Sequence, residues 1–336
     1  MNLHRLGQHF QSWARRSLLP VGLAAGALLS PALSQAEALK VGYSDWPGWV
    51  AWQVALDKGW FKEAGLDVKF EWFDYSASMD AFAAGKLDVV GMTNGDTLVT
   101  GSGGGKGVMV LITDYSSGND MILGKPGIKS IKDLKGKKVA VEVGLVDHLL
   151  LVNALKKAGL KETDVTLVNA KTNELPQVFA SGDVSAIGVW QPVAGQAMKA
   201  VPGSKPLYTS TDEPGLIYDV FVATPAVAKN RKADLGKFMK VWDRVVAYVQ
   251  DPKTQPDAVK IMSARSGVSP AEYLPYLKGT HLLSIADGKK VYAKGTGFNT
   301  IQGSTAFVDK FNVANGVYKA PEKVDSYLDY SIYAGQ

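Results

Sequence analysis

Two rhythms alternate along this chain. Short apolar runs rich in β-branched residues are separated by longer stretches whose apolar residues recur every third or fourth position. The first rhythm marks a buried strand and the second a helix with one buried face, because side chains repeat roughly every 2 residues in a strand and about every 3.6 in a helix. Leu39–Tyr43 reads as a strand ended by Ser44-Asp45-Trp46-Pro47-Gly48. Trp49, Trp52, Val54, Ala55, Trp60, Phe61 and Ala64 then predict one helix over 49–64, stopped by Gly65. Val68–Phe73 predicts a second strand, Met79–Ala84 a second helix and Val89–Met92 a third strand. Strand, helix, strand, helix, strand requires crossovers and a mainly parallel sheet whose loops gather at one edge.

The phrase Phe82-Ala83-Ala84-Gly85-Lys86-Leu87-Asp88-Val89-Val90-Gly91 returns 97 positions later as Phe179-Ala180-Ser181-Gly182-Asp183-Val184-Ser185-Ala186-Ile187-Gly188. In each copy a helix meets a glycine, the residue best suited to a left-handed stop, and a short strand follows. The second copy sits in a series like the first: strand Lys138–Val143, helix Asp147–Ala158, strand Val165–Val168, helix Leu175–Ser181 and strand Ala186–Val189. Further strands are predicted at Val108–Ile112, Met121–Leu123, Tyr208–Thr211 and Tyr218–Ala223, and an apolar stripe from Phe238 to Val249 predicts a core helix. The expected organisation is α/β, with lobe I from 39–123 plus 221–336, lobe II from 124–220, a two-stranded hinge and a ligand cleft between the lobes. Gly101-Ser102-Gly103-Gly104-Gly105-Lys106-Gly107 lacks the order of a phosphate loop and precedes a strand, so it reads as a connection.

Residues 1–38 stand apart from this pattern. Arg5, Arg15 and Arg16 precede the apolar run Leu18–Leu33, and small residues follow at Ser34, Ala36 and Ala38, the expected form of a cleavable signal peptide with cleavage after Ala36 or Ala38. The chain has no cysteine, which excludes disulfides, thiolate nucleophiles and thiolate metal sites. Without Arg5, Arg15, Arg16 and Glu37 the 336-residue chain keeps 34 basic against 31 acidic residues, a net of +3 that makes no case for a nucleic-acid partner.

Gly42-Tyr43 with Trp46-Pro47-Gly48-Trp49, then Lys58-Gly59-Trp60-Phe61 with Gly65-Leu66-Asp67-Val68, resemble the opening of exported solute-binding proteins serving nitrate, taurine, alkanesulfonate and thiamine-pyrimidine importers. Ala84-Gly85-Lys86-Leu87-Asp88-Val89, the run Asp133–Ala140 and Trp190-Gln191-Pro192 look like later landmarks of that family. The resemblance implies a type II periplasmic-binding-protein fold, two parallel-sheet lobes whose closed form docks on an ABC permease and its ATPase. It implies a periplasmic monomer with a small-molecule solute and neither cofactor nor metal. Carried over by position, ligand contacts would fall at Asp45, Trp46 and Trp49, at Thr93, Asn94 and Asp96, at Asn119 and Asp120, at Glu142 and His148, and at Trp190 and Asp219. Asp147 falls in the same second-lobe stretch, 142–148, and counts among the acidic candidates; Trp49 reads equally as a core anchor, Asp96 equally as a helix cap, and Asp147 also as a cap.

One departure bears on the solute. Relatives that hold anions often place hydroxyls and free amides at the start of the second lobe's long helix, but Gly144-Leu145-Val146-Asp147-His148 stands there. Arginine is absent from every loop named, whereas carboxylates and tryptophans abound, which points to a small cationic or amide-like nitrogen compound. A pyrimidine-synthase-like enzyme on the same scaffold would need a reactive lysine or histidine; beyond the signal segment only His148 and His281 remain, in no metal or nucleophile motif. A periplasmic sensor of the same solute is the other alternative.

Overall fold

A computed structural model of the protein describes residues 37–334. The expected signal peptide, but for Glu37 and Ala38, lies outside them. Eleven strands are found among the described residues: β1 Leu39–Tyr43, β2 Val68–Trp72, β3 Val89–Thr93, β4 Val108–Ser116, β5 Asp120–Gly124, β6 Lys138–Val141, β7 Thr166–Asn169, β8 Ala186–Trp190, β9 Lys205–Thr209, β10 Tyr218–Ala223 and β11 Thr280–Leu282. They form one six-stranded sheet in the order β11-β4-β10-β3-β1-β2 and one five-stranded sheet in the order β7-β6-β8-β5-β9.

Each sheet has a parallel trio at its heart, β2-β1-β3 in the first and β7-β6-β8 in the second, as the crossover pattern requires. Each trio is flanked by an antiparallel strand that has crossed from the other lobe: β10 beside β3, and β5 beside β8. The sheets are therefore mixed. Strand β5, which a boundary at 124 would assign to the first lobe, pairs within the second sheet, so the chain crosses at Ser117–Asn119 instead. The return crossing lies between β9 and β10. Ser210 ties the two together, its hydroxyl 2.6 Å from that of Ser116 and 2.7 Å from the Gly118 amide that donates to it.

The repeated phrase folds alike in both lobes. Helix runs into Gly85 at φ 71° and Gly182 at φ 95°, left-handed conformations that only glycine takes without strain, and β3 or β8 follows. Asp88 and Asp183 serve the turns, accepting a hydrogen bond from the Lys40 amide and pairing with Lys138 respectively.

The helix expected over 49–64 is three short pieces, α1 Pro47–Val50, α2 Trp52–Asp57 and α3 Trp60–Glu63, with Gly59 left-handed between the last two. Tertiary packing overrides the simple period. The break lets Trp52 and Phe61 stack at 5.5 Å while Trp52 also packs on Phe238 and Trp242, at 4.3 and 4.9 Å, from helix Lys232–Gln250. Next come α4 Tyr75–Ala83, α5 Asn94–Ser102, α6 Val146–Lys157 and α7 Leu175–Ala180. The glycine-rich run joins α5 to β4, a connection as its sequence implies. Among the described residues no helix is long and apolar enough to cross a membrane.

Candidate functional site

A small set of register pairs marks the cleft edge of each sheet. Asp219, at the start of β10, stands opposite both Thr93 at the end of β3 and Asp114 near the end of β4. Directly opposed residues share a face, so the Asp114 and Asp219 carboxyls lie side by side. On the other sheet Asp120, the first residue of β5, stands opposite Trp190, the last residue of β8. Two helix starts complete the arrangement. Thr93 caps α5, its hydroxyl accepting from the Asp96 amide at 3.0 Å, which frees the Asp96 carboxylate to accept from the Tyr75 hydroxyl at 2.6 Å. Asp147 lies in the first turn of α6.

The lobes touch here. Trp190 Nε1 of the second lobe donates to Asp45 of the first at 3.2 Å, and the Trp190 ring meets Tyr75 edge-on at 5.2 Å. Tyr75 in turn stacks on Trp49 at 5.5 Å, and Trp46 Nε1 donates to Asp114 at 2.9 Å. That last contact depends on Gly48, because a Cβ there would fall 2.0 Å from Asp114 Oδ2. At the cleft mouth Asp45, Tyr75, Glu142, Lys171 and Trp190 border a cavity of about 60 Å³.

Asp96, Asp114, Asp120, Asp147 and Asp219 are each at most 2 % exposed, and no ion pair among the described residues involves any of them. Asp114 Oδ2, Asp120 Oδ2, Asp219 Oδ2 and both carboxylate oxygens of Asp147 find no hydrogen-bond partner within the protein; neither does Trp49 Nε1. Burying a carboxylate without a partner is costly, so such groups hold their protons. Burial pushes Asp96 up to about 7 against the opposing hydrogen bonds from Tyr75 and Thr93. Asp120 rises to about 7 by burial and the nearby Asp114 and Asp96 charges, and Asp114 to about 6 by burial. Asp147 and Asp219 are driven well above the carboxylate range by burial and by their acidic neighbours, Asp114 standing directly opposite Asp219. Asp45, at the mouth, is raised to about 6 by burial despite the Trp190 bond.

Of the positions read from sequence, Asp45, Trp46, Trp49, Thr93, Asp96, Asp120, Trp190 and Asp219 come together here, and Glu142 stands at the mouth with its Oε2 accepting from the Thr172 amide and hydroxyl at 3.2 and 3.0 Å. Three positions do not. Asn94 turns away, donating to Ser304 and Thr305 and accepting from the Tyr218 amide, a clamp between β10 and helix Ile301–Ala314. Asn119 donates to the Tyr276 carbonyl and the Thr280 hydroxyl, its capacity spent on holding the crossing. His148 faces outward from the cluster: its Nδ1 accepts from the Gly144 amide, its Nε2 lies 3.3 Å from Glu162, and Phe311 packs on its ring. Burial lowers its pKa.

Two residues of the cluster, Asp114 and Tyr75, were not named from sequence. Asp114 was hidden because β4 runs on to Ser116, past the expected end at Ile112. Asp147 was read both as an acidic candidate and as a cap; the N-cap of α6 is Leu145, and both Asp147 oxygens are free. Tyr75 opens α4 four residues before the predicted start; the polar stretch Ser76-Ala77-Ser78 carries no apolar period to reveal it.

The NMT1/THI5-like family profile matches residues 46–255. A Brucella abortus relative described only as a binding protein is 34 % identical over 200 residues, which cover 59 % of this chain and 62 % of that relative's length. The taurine-binding periplasmic protein of Escherichia coli is 25 % identical over 237 residues, covering 68 % of this chain and 73 % of that one. In structure, the periplasmic aliphatic sulphonate binding protein SsuA of Escherichia coli superposes with a TM-score of 0.71 at 20 % identity, over 87 % of this chain and 91 % of that one, which establishes the shared two-lobed fold. With the profile spanning β2 to β10, and so the whole second lobe and the return into the first, the chain belongs to the NMT1/THI5-like family.

Proposed function

We propose that this protein is the solute-capturing component of an ABC importer and that its solute is a small nitrogen-containing cation held between the lobes. The observation that carries the charge of the solute is the set of five buried carboxyls, from both lobes, with no basic side chain paired to any of them. A sulfonate or nitrate would find no counter-charge in that set and would be opposed by any carboxyl that ionises, whereas a cation would supply the missing counter-charge and let the carboxyls release their protons. Trp46, Trp49, Trp190 and Tyr75 add aromatic walls suited to a cation. Among the described residues no group of three or more acidic or histidine side chains is placed to hold a metal ion, which favours an organic cation.

The importer role draws support from the family and from relatives named as binding proteins. On this reading the protein works in the periplasm as a monomer, closes on its solute without covalent change and hands it to a permease and ATPase. A pyrimidine-synthase-like activity finds little support in the site: His148 is engaged with Glu162, and His281 stacks on Tyr115 at 4.5 Å on the β11 edge.

Calorimetry with the processed protein tests the charge. Methylammonium, guanidinium or a diamine is expected to bind and taurine, ethanesulfonate and nitrate to fail; the reverse pattern defeats the reading. Asp120→Asn and Asp219→Asn should each weaken a bound cation, and unchanged affinity in both would remove them from the site. Mass spectrometry of the released solute should find it unaltered, since turnover would make the protein an enzyme.

A further inference from the structure

We propose that the solute is a planar cation of the guanidinium or amidinium class, gripped by both oxygens of Asp147. This rests on the cation reading above and goes further by choosing the shape and the hydrogen-bonding pattern of the cation.

Among the described residues Asp147 is the cleft carboxylate whose two oxygens are both fully buried and unpartnered, at 1 % exposure. Its place is rigid. It belongs to the first turn of α6, and a Cβ built on Gly188 of β8 would lie only 3.1 Å from the Asp147 Cβ, so backbone of one element sits directly against the side-chain root of the other. A fixed fork of two acceptors is the complement of two parallel N–H donors held in one plane. Guanidinium and amidinium present that pair; an alkylammonium has three diverging donors and meets such a fork as a point charge.

The remaining groups fit the same shape. Asp120 Oδ2 offers a further unpartnered acceptor from the second lobe, and the cross-strand pair Asp114 and Asp219 offers acceptors from the first. Once the carboxyls ionise, acceptors converge from several directions, while the unpartnered buried side-chain donors at this edge, among the described residues, are Trp49 Nε1 and the Ser44 hydroxyl. A donor-only solute with N–H groups radiating around its rim satisfies that imbalance, and an anionic tail such as a sulfonate has almost nothing to bind. Flat delocalised cations also stack on aromatic rings, here those of Trp46, Trp49 and Trp190. The direct contact of Trp190 with Asp45 and Tyr75 across the cleft limits the solute to a few heavy atoms.

The test is calorimetry of the processed protein at pH 8 with millimolar or lower guanidinium chloride, acetamidinium, methylammonium, 1,3-diaminopropane, urea and taurine. Guanidinium or acetamidinium should bind at least about 100-fold more tightly than methylammonium, the size of effect expected when a bidentate charged pair is lost. Asp147→Asn should erase most of that preference while melting no lower than the parent; Asp120→Asn serves as the second variant, weakening guanidinium while retaining its preference over methylammonium. Methylammonium or the diamine binding as tightly as guanidinium overturns the planar class and leaves the cation reading intact. Urea or taurine binding where no cation does overturns the cation reading itself. An Asp147→Asn protein that folds and keeps the full preference removes Asp147 from the grip.

Discussion

Proton release should accompany solute capture, and its pH dependence follows from the buried carboxyls. Asp96 and Asp120 stand at about 7 and Asp45 and Asp114 at about 6, and Asp147 and Asp219 are driven well above the carboxylate range, all raised by burial first from the unfolded value near 3.8. A carboxyl raised in the folded state binds its proton more tightly there, so it favours folding at acid pH and loses that advantage as pH climbs toward the folded value. For Asp96 alone the difference between pH 5 and pH 8 amounts to roughly 3 kcal/mol, and for Asp45 to about half that; the carboxyls interact, so these do not simply add. His148, lowered by burial, works in the opposite direction below its ordinary value, which makes His148→Gln the background in which to measure. Without solute the melting temperature should therefore fall from pH 5 to pH 8. A cation that requires one ionised carboxylate with a value of about 7 competes with a proton, and its affinity should drop about 100-fold between pH 8 and pH 5. Titration calorimetry in buffers of different ionisation enthalpy reads the protons released, at least about one per solute at pH 6. Binding that strengthens on acidification, or proceeds at pH 6 with no proton release, refutes the reasoning, as does a melting temperature that climbs from pH 5 to pH 8.

Two further outcomes separate the site from its supports. Gly48→Ala places a methyl group 2.0 Å from Asp114 Oδ2 and must displace that carboxyl from Trp46; about 1–3 kcal/mol of stability and at least tenfold in solute affinity should go, and unchanged binding would mean that Asp114 is not in contact with the solute. Asn94→Ala removes the clamp to Ser304, Thr305 and the Tyr218 amide and should cost about 1–3 kcal/mol in urea denaturation with less than about threefold change in affinity; a large loss of binding at full stability would restore Asn94 to the site.

Much of the scaffold was legible because it is written in local terms. β1 and β10 have the bounds their apolar runs predict, and the repeated phrase announces two helix-glycine-strand units because left-handed glycine and strand period are properties of neighbouring residues. The ends of those units, Thr93 in one lobe and Trp190 in the other, locate the cleft walls. The single helix expected over 49–64 failed because the break at Gly59 is settled by packing on helix Lys232–Gln250, nearly two hundred residues away.

The site was legible only as a neighbourhood. Which of its polar residues point inward depends on partners far along the chain: Asn94 is turned away by Ser304, 210 positions on, and Asn119 by Tyr276, 157 positions on, while Trp46 reaches Asp114 across 68. The sequence by itself determined the alternation of strands and helices along each half, the acidic and aromatic character of the loops and the scarcity of arginine among them. Tertiary structure alone decided that Asp114 joins the cluster, that Asp147 keeps both oxygens free instead of capping α6, and that His148 leaves it, because cross-strand register and the docking of α6 against β8 aim side chains that composition merely supplies.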